Sequence, residues 1–252
     1  MDRFIGRRII VTGAGSGMGQ AAALRILREG GTVTACDLSA EGLAATAKTA
    51  ADEGSSERLT TAQLDVGDEA RVGEVVSDAV ARMGGLDVLI NAAGVLRGCH
   101  TEDCTLELWE QVLRTNLTGT FLVTRAALPA LLDGGGAIVN FASVAAYHAS
   151  PYAAAYAASK GGVAAFTRTV ALEFAKRGLR AVIIAPGGVD TPLVSAVQYP
   201  EDADMKLLLR DMPVGRAFAT PDEVAGIVAM VASDEGAYLN GTVIEVDGGA
   251  HA

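Results

Sequence analysis

Seven short apolar runs alternate along this chain with longer stretches of helical period. The runs are Arg8–Thr12, Thr32–Cys36, Leu59–Leu64, Leu86–Asn91, Ala137–Phe141, Ala181–Ala185 and Thr242–Val246. Between them, Met18–Glu29, Glu41–Glu53, Glu69–Met83, Leu106–Leu132, Ala154–Arg177 and Pro221–Ser233 carry apolar residues at helical spacing. A strand followed by a helix long enough to cross over returns the next strand in parallel, and the helices cover both faces of the sheet. Strands that read as continuous apolar runs are what a sheet buried on both faces requires. The pattern predicts an α/β doubly wound fold, with a seven-stranded parallel sheet and helices on both faces. The chain has 252 residues, half of them hydrophobic, and no linker, repeat or low-complexity tract divides it, so one domain over 1–252 is expected. The alternation lapses once, for about thirty residues between Asp190 and Thr220. A stretch of that length without its own pattern is expected to be functional, a substrate lid over 190–220.

Composition excludes several classes. With 30 acidic against 20 basic residues the net charge is −10, and no Lys/Arg cluster offsets it, so a nucleic-acid partner is not expected. The long uncharged stretch Ala137–Ser159 contains Asn140, Ser143, His148, Pro151 and three tyrosines. It reads as a strand, a loop and a helix start, not a membrane span. Met1–Gly6 carries no signal-peptide pattern, and Cys36, Cys99 and Cys104 are too few and too ill-spaced for a disulfide framework. A reducing cytoplasm is the expected location. Cys99-His100-Thr101-Glu102-Asp103-Cys104 holds metal-ligand residue types but no paired C-x-x-C spacing, so a surface loop without metal is expected.

The charged and glycine-rich positions gather at strand ends. Thr12-Gly13-Ala14-Gly15-Ser16-Gly17-Met18-Gly19 follows the first strand and opens the first helix. Glycines there allow a tight turn and let backbone N–H groups approach a pyrophosphate, whose charge a helix N-terminus favours. The strict G-x-G-x-x-G fingerprint fails at Met18, and the pattern is instead Thr-Gly-x-x-x-Gly-x-Gly. Asp37 follows the second strand, 24 residues after Gly13, where a carboxylate accepts from the adenosine ribose hydroxyls and repels a 2′-phosphate. Ala14, Ser16, Leu38 and Ser39 supply no base for such a phosphate, so NAD is expected over NADP. Later units put Asp65-Val66, Asn91-Ala92-Ala93-Gly94, Ser143 and Pro186-Gly187-Gly188 on the same rim, where ligands of doubly wound sheets bind.

Tyr156 and Lys160 stand four residues apart on one helix face, with Ser143 thirteen residues before Tyr156. A free tyrosine titrates near pH 10, and lowering it by roughly two to three units takes about 3–4 kcal/mol, which a neighbouring cation can supply. With these residues assembled, the chain resembles the short-chain dehydrogenase/reductases, of Rossmann fold, over essentially its whole length. The matching elements are Thr12-Gly13-x-x-x-Gly17-x-Gly19, Asn91-Ala92-Ala93-Gly94, Asn116, Ser143, Tyr156-x-x-x-Lys160 and Pro186-Gly187 with Thr191. One position departs: Ala92 stands where the family usually has a second asparagine.

The resemblance implies roles. Tyr156 would exchange a proton with the substrate oxygen, Ser143 would hold that oxygen, and Lys160 would favour the tyrosinate and bond the nicotinamide ribose. Asn116 would hold a water linking Lys160 to solvent. NAD would lie against Gly13, Ser16, Gly17, Met18, Gly19, Asp37, Leu38, Asp65, Val66, Asn91, Ala92, Gly94, Pro186, Gly187, Val189 and Thr191, besides Tyr156 and Lys160. His148 falls where the family has pocket wall. Homotetramers are also implied. The lid residues Leu193, Val194, Val197, Tyr199, Met205, Leu207, Leu208, Leu209 and Met212, interrupted by Glu201, Asp202, Asp204 and Lys206, suggest an apolar underside closing over a medium-sized, largely apolar alcohol or ketone. Reduction of 3-oxoacyl groups on a carrier protein or CoA, and NAD sensing without turnover, are the alternatives.

Overall fold

The computed structural model describes residues 2–252, apart from the side chain of Asp211. Its strands are β1 (Arg8–Thr12), β2 (Thr32–Asp37), β3 (Leu59–Gln63), β4 (Val88–Asn91), β5 (Ala137–Phe141), β6 (Arg180–Pro186) and β7 (Val243–Val246). They form one sheet of order β3-β2-β1-β4-β5-β6-β7 with every pairing parallel. The strand order reverses between β1 and β4, which opens a crevice at their carboxyl ends. The expected Rossmann architecture is therefore present.

Although the strands look uniformly apolar, the pleat divides them. Ile9 and Val11 of β1, and Ala137, Val139 and Phe141 of β5, enter a core covered by α1 (Gly17–Arg28), α2 (Ala40–Asp52) and α9 (Pro221–Ala232). Ile10 and Ile138 face the opposite core, under α3 (Glu69–Met83), α5 (Gly119–Leu131) and α6 (Ala154–Glu173). Each of these side chains is nearly or fully buried, and the Ile, Val and Phe ones contribute about 2 kcal/mol apiece through apolar area removed from water. Helix ends carry the chemistry expected of them. The Asp68 carboxylate accepts from Arg71 N before α3, which ends at Gly84 in the left-handed region, and Thr220 with Glu223 forms a capping box ahead of Pro221.

Two segments differ from the sequence expectation. The helix expected over Leu106–Leu132 is broken into α4 (Leu106–Leu113), a π-helical turn Arg114–Thr118 and α5. The stretch 190–220 contains α7 (Pro192–Ser195) and α8 (Met205–Leu208), too short to show as helical periodicity. In it Tyr199, Met205, Leu207, Leu209 and Met212 are exposed, while Leu193, Val194, Val197 and Leu208 are half-buried. Among the described residues no helix is long and apolar enough to cross a membrane.

Candidate active site

The glycine-rich turn is fixed by close backbone contact. Gly13 has φ +69°, and a Cβ there would lie 2.7 Å from the backbone of Ala92 and Ala93, so only glycine lets β1 and β4 deliver their loops side by side. Ser16 precedes α1 in extended conformation with no side-chain capping bond, leaving the helix N-terminus open to an anion. Asp37 accepts from Gly15 N and from Ser39 N, both at 2.8 Å, and so joins the turn to the start of α2. From here a groove of about 510 Å³ runs along the sheet edge. Its walls include Gly13, Ser16, Gly17, Met18, Gly19, Asp37, Leu38, Asp65, Val66, Ala92, Gly94 and Thr191. A dinucleotide fits these residues, with an open helix N-terminus for phosphates and a carboxylate beside it; the cluster of Ser143, Tyr156 and Lys160 lies outside the groove wall.

Gly94 links the groove to that cluster. A Cβ on Gly94 would lie 3.3 Å from Asn116 Oδ1 and 3.5 Å from Lys160 Nζ. Asn116 is buried in the π-helical turn, where its carboxamide is fully engaged. Oδ1 accepts from Val95 N at 2.8 Å, and Nδ2 donates to Val95 O at 3.0 Å and Ser159 Oγ at 2.9 Å. The side chain thus pins the loop after β4 to α6, with one lone pair of Oδ1 left over. The wide π turn aligns it with both partners at once.

Tyr156 and Lys160 occupy the start of α6, and Ser143 follows β5. The Ser143 hydroxyl accepts from Ala145 N, donates to Pro186 O at 3.4 Å and lies beside the Tyr156 phenol. Lys160 is buried, its Nζ donating to Phe141 O at 2.7 Å and lying 5.7 Å from the centroid of the Tyr156 ring. The expectation of an acidified tyrosine is corrected here. Burial pushes the Tyr156 phenol above its ordinary value, outweighing the opposite effect of Ser143, with Tyr199 adding to the rise. The residue as a whole is half-buried. Burial also lowers Lys160 to about 8. Without cofactor, therefore, the lysine and not the phenol is the first of the two to lose its proton as pH rises.

Comparison with known proteins decides the family. The family model described as Enoyl-(Acyl carrier protein) reductase matches residues 13–251. A 3-oxoacyl-(acyl-carrier-protein) reductase of Thermotoga maritima is 40% identical over 248 residues, covering 98% of each chain. The D-threitol dehydrogenase of Mycolicibacterium smegmatis is 40% identical over 250 residues, covering 98% of this chain and 94% of that one. The crystal structure of a short chain dehydrogenase from Mycobacterium paratuberculosis bound to NAD superposes with a TM-score of 0.91 at 30% identity, covering 98% of both chains. The chain belongs to the short-chain dehydrogenase/reductases.

Within this dehydrogenase several residues lie away from their expected places. Asn91 is buried in the sheet, donating to Asn140 Oδ1 at 2.8 Å and Thr124 Oγ1 at 3.1 Å, and does not line the groove. Pro186, Gly187 and Val189 stand outside the groove wall as well; Gly187 packs against Asp247, and Val189 bridges to Ala219. His148 stacks on His251 with centroids 4.0 Å apart, 3.5 Å from Glu245, so part of its surface is already taken by the chain's own C-terminal segment. Conversely, sequence reasoning missed Ser159, Arg97, Gln111 and Arg114. Ser159 sits between Tyr156 and Lys160, a position that could have flagged it. Arg97, Gln111 and Arg114 reach the groove only through the topology, Arg114 pairing with Asp65 at 2.9 Å.

Proposed function

We propose that this enzyme uses NAD to interconvert a secondary alcohol and a ketone, with Tyr156 moving the proton. The observation that carries the reading is the cluster itself: Ser143 beside the Tyr156 phenol, Lys160 5.7 Å from its ring centroid, and Gly94 between Lys160 and the groove. The bound nicotinamide supplies a hydride acceptor or donor and, when oxidised, a positive charge. The chain's residues do the rest. Ser143 orients the substrate oxygen, Tyr156 takes the hydroxyl proton in oxidation or donates it in reduction, and the Lys160 ammonium favours the tyrosinate as it forms. The raised phenol is protonated at neutral pH in the free enzyme, which suits donation to a carbonyl. Asn116 acts by position, holding the loop that carries Gly94 and Val95. The test is NADH formation on a panel of steroids, cyclic alcohols, polyols and 3-hydroxyacyl thioesters; NAD binding without turnover on any of them contradicts the proposal.

Asp37 supports NAD over NADP, because its carboxylate sits at the turn with no base beside it to receive a 2′-phosphate. Asp37→Ser is expected to lower kcat/KM for NAD by about 10- to 100-fold, the effect of one charged hydrogen bond lost, while NADP improves. Equal use of both cofactors by the unaltered enzyme overturns this assignment. The 40% identity to the Thermotoga reductase favours a second reading, reduction of 3-oxoacyl thioesters. The net charge of −10 and a Leu128–Gly136 stretch without Lys or Arg speak against docking an acidic carrier protein. Exposed Leu106, Phe121 and Leu172, on α4, α5 and α6, support assembly into a homotetramer. Three free cysteines suit a reducing, cytoplasmic setting.

A further inference from the structure

The tip of the 190–220 stretch is fastened to the body of the domain by four contacts from two separate segments. His100 Nε2 lies 2.8 Å from Asp202 Oδ1. Tyr152 Oη accepts from Asp204 N at 2.8 Å. The Tyr152 ring meets His100 edge-on at 5.2 Å and Tyr199 at 6.5 Å. Gly98 backs so closely onto Gln198 and Tyr199 that a Cβ there would lie 2.6 Å from Gln198 O. Tyr152 has φ 63°, the one positive value outside glycine among the described residues. Such a conformation persists only where the surroundings over-determine it. Its carbonyl accepts from Cys99 N at 2.8 Å while its hydroxyl holds Asp204, so the strained residue ties the two sides together.

We propose that this clasp closes the substrate side of Tyr156 beneath Tyr199 and restricts the enzyme to compact, untethered secondary alcohols and ketones, excluding acyl groups carried on a phosphopantetheine arm. The inference rests on the functional reading above and narrows its substrate class. A tethered acyl group must keep a thread running from the reacting carbon to its carrier, and that thread needs a gap where the clasp holds the rim shut. A free diol or cyclic alcohol can be enclosed completely, which also excludes water from hydride transfer. Charge acts in the same sense. Glu102 and Asp103 join Asp202 around His100, and an acidic rim repels the phosphodiester of a pantetheine arm.

The groups facing His100 are Asp202 from the lid tip, Glu102 and Asp103 from its own loop, and the Tyr152 ring. The Asp202 hydrogen bond raises the imidazole above its usual value. A raised folded value means that the ionic part of the clasp is fully present below the free-histidine range and is lost as pH rises through the folded value. KM for a compact alcohol should therefore climb across that window in the unaltered enzyme and stay flat in His100→Ala.

The experiment compares butane-2,3-diol and cyclohexane-1,2-diol with 3-hydroxybutyryl-CoA, which carries the whole phosphopantetheine arm. The unaltered enzyme should favour the better diol by about 100-fold in kcat/KM. Combining His100→Ala with Tyr152→Phe should raise KM for the diol roughly tenfold, cut the preference at least about tenfold and leave NAD affinity unchanged. Hydrogen exchange at the Asp204 amide gives a readout independent of turnover, and should quicken at least about tenfold in the double variant. Comparable kcat/KM for diol and thioester in the unaltered enzyme, or unchanged Asp204 exchange, overturns the clasp alone. Absence of turnover on every compound overturns the functional reading and this inference together.

Discussion

Tyr156→Phe is expected to lower the rate of alcohol oxidation by about 10²- to 10⁴-fold while NAD affinity stays within about twofold. The loss is large because the phenol beside Ser143 is the proton donor and acceptor of the proposed reaction, and the neighbouring polar groups hold other partners. Asn116 gives both amide hydrogens to Val95 and Ser159, and Lys160 donates to Phe141 O. Phenylalanine keeps the ring in its place on α6, and Ser143 retains its bonds to Ala145 and Pro186, so the fold and the groove are undisturbed. Steady-state kinetics with a titration of NAD binding separates the two effects. A variant within tenfold of the parent rate would mean that the proton leaves by another route.

Lys160→Met should abolish most activity yet stabilise the protein at neutral pH. Burial lowers Lys160 from its ordinary 10.5 to about 8, so the folded state holds the charged form at a cost of about 3 kcal/mol. The sign follows from linkage. Below about pH 8 both states are protonated and the cost is felt in full; between about 8 and 10.5 the folded lysine is neutral and the cost fades; above that range it is gone. Methionine fills a similar volume without charge but leaves Phe141 O without its partner, which offsets about 1–2 kcal/mol. The net gain at pH 7 is about 1–2 kcal/mol, a rise of roughly 2–8 °C in Tm for a chain of this size, shrinking or reversing toward pH 10. Thermal unfolding at both pH values checks this, and destabilisation at pH 7 contradicts it.

The fold was legible because both faces of the sheet are covered, so each strand stands out as an apolar run such as Arg8–Thr12 or Ala137–Phe141, whose ends agree with the structure to the residue. The glycine turn and Asp37 were legible because backbone geometry demands those residue types at those strand ends. What escaped depends on contacts between distant segments. Nothing in Leu106–Leu132 announces a π turn; Asn116 is held there by Val95 and Ser159, far off in sequence. Spacing set Lys160 beside Tyr156 but could not reveal that its ammonium points to Phe141 O, or that burial raises the phenol. Asn91 ends its strand like a groove residue, yet its register opposite Asn140 turns it into the sheet interior. The clasp joins Gly98, His100, Tyr152 and the 198–204 tip, a set with no common spacing at all.

The most direct measurement follows the hydride itself. The enzyme is given NAD and a secondary alcohol deuterated at the carbinol carbon, and the reduced nicotinamide is examined for the label. The account predicts one deuterium at the nicotinamide C4 for each ketone formed, with the signal disappearing in Tyr156→Phe. Reduced cofactor without deuterium, or bound NAD that no secondary alcohol reduces, would contradict it.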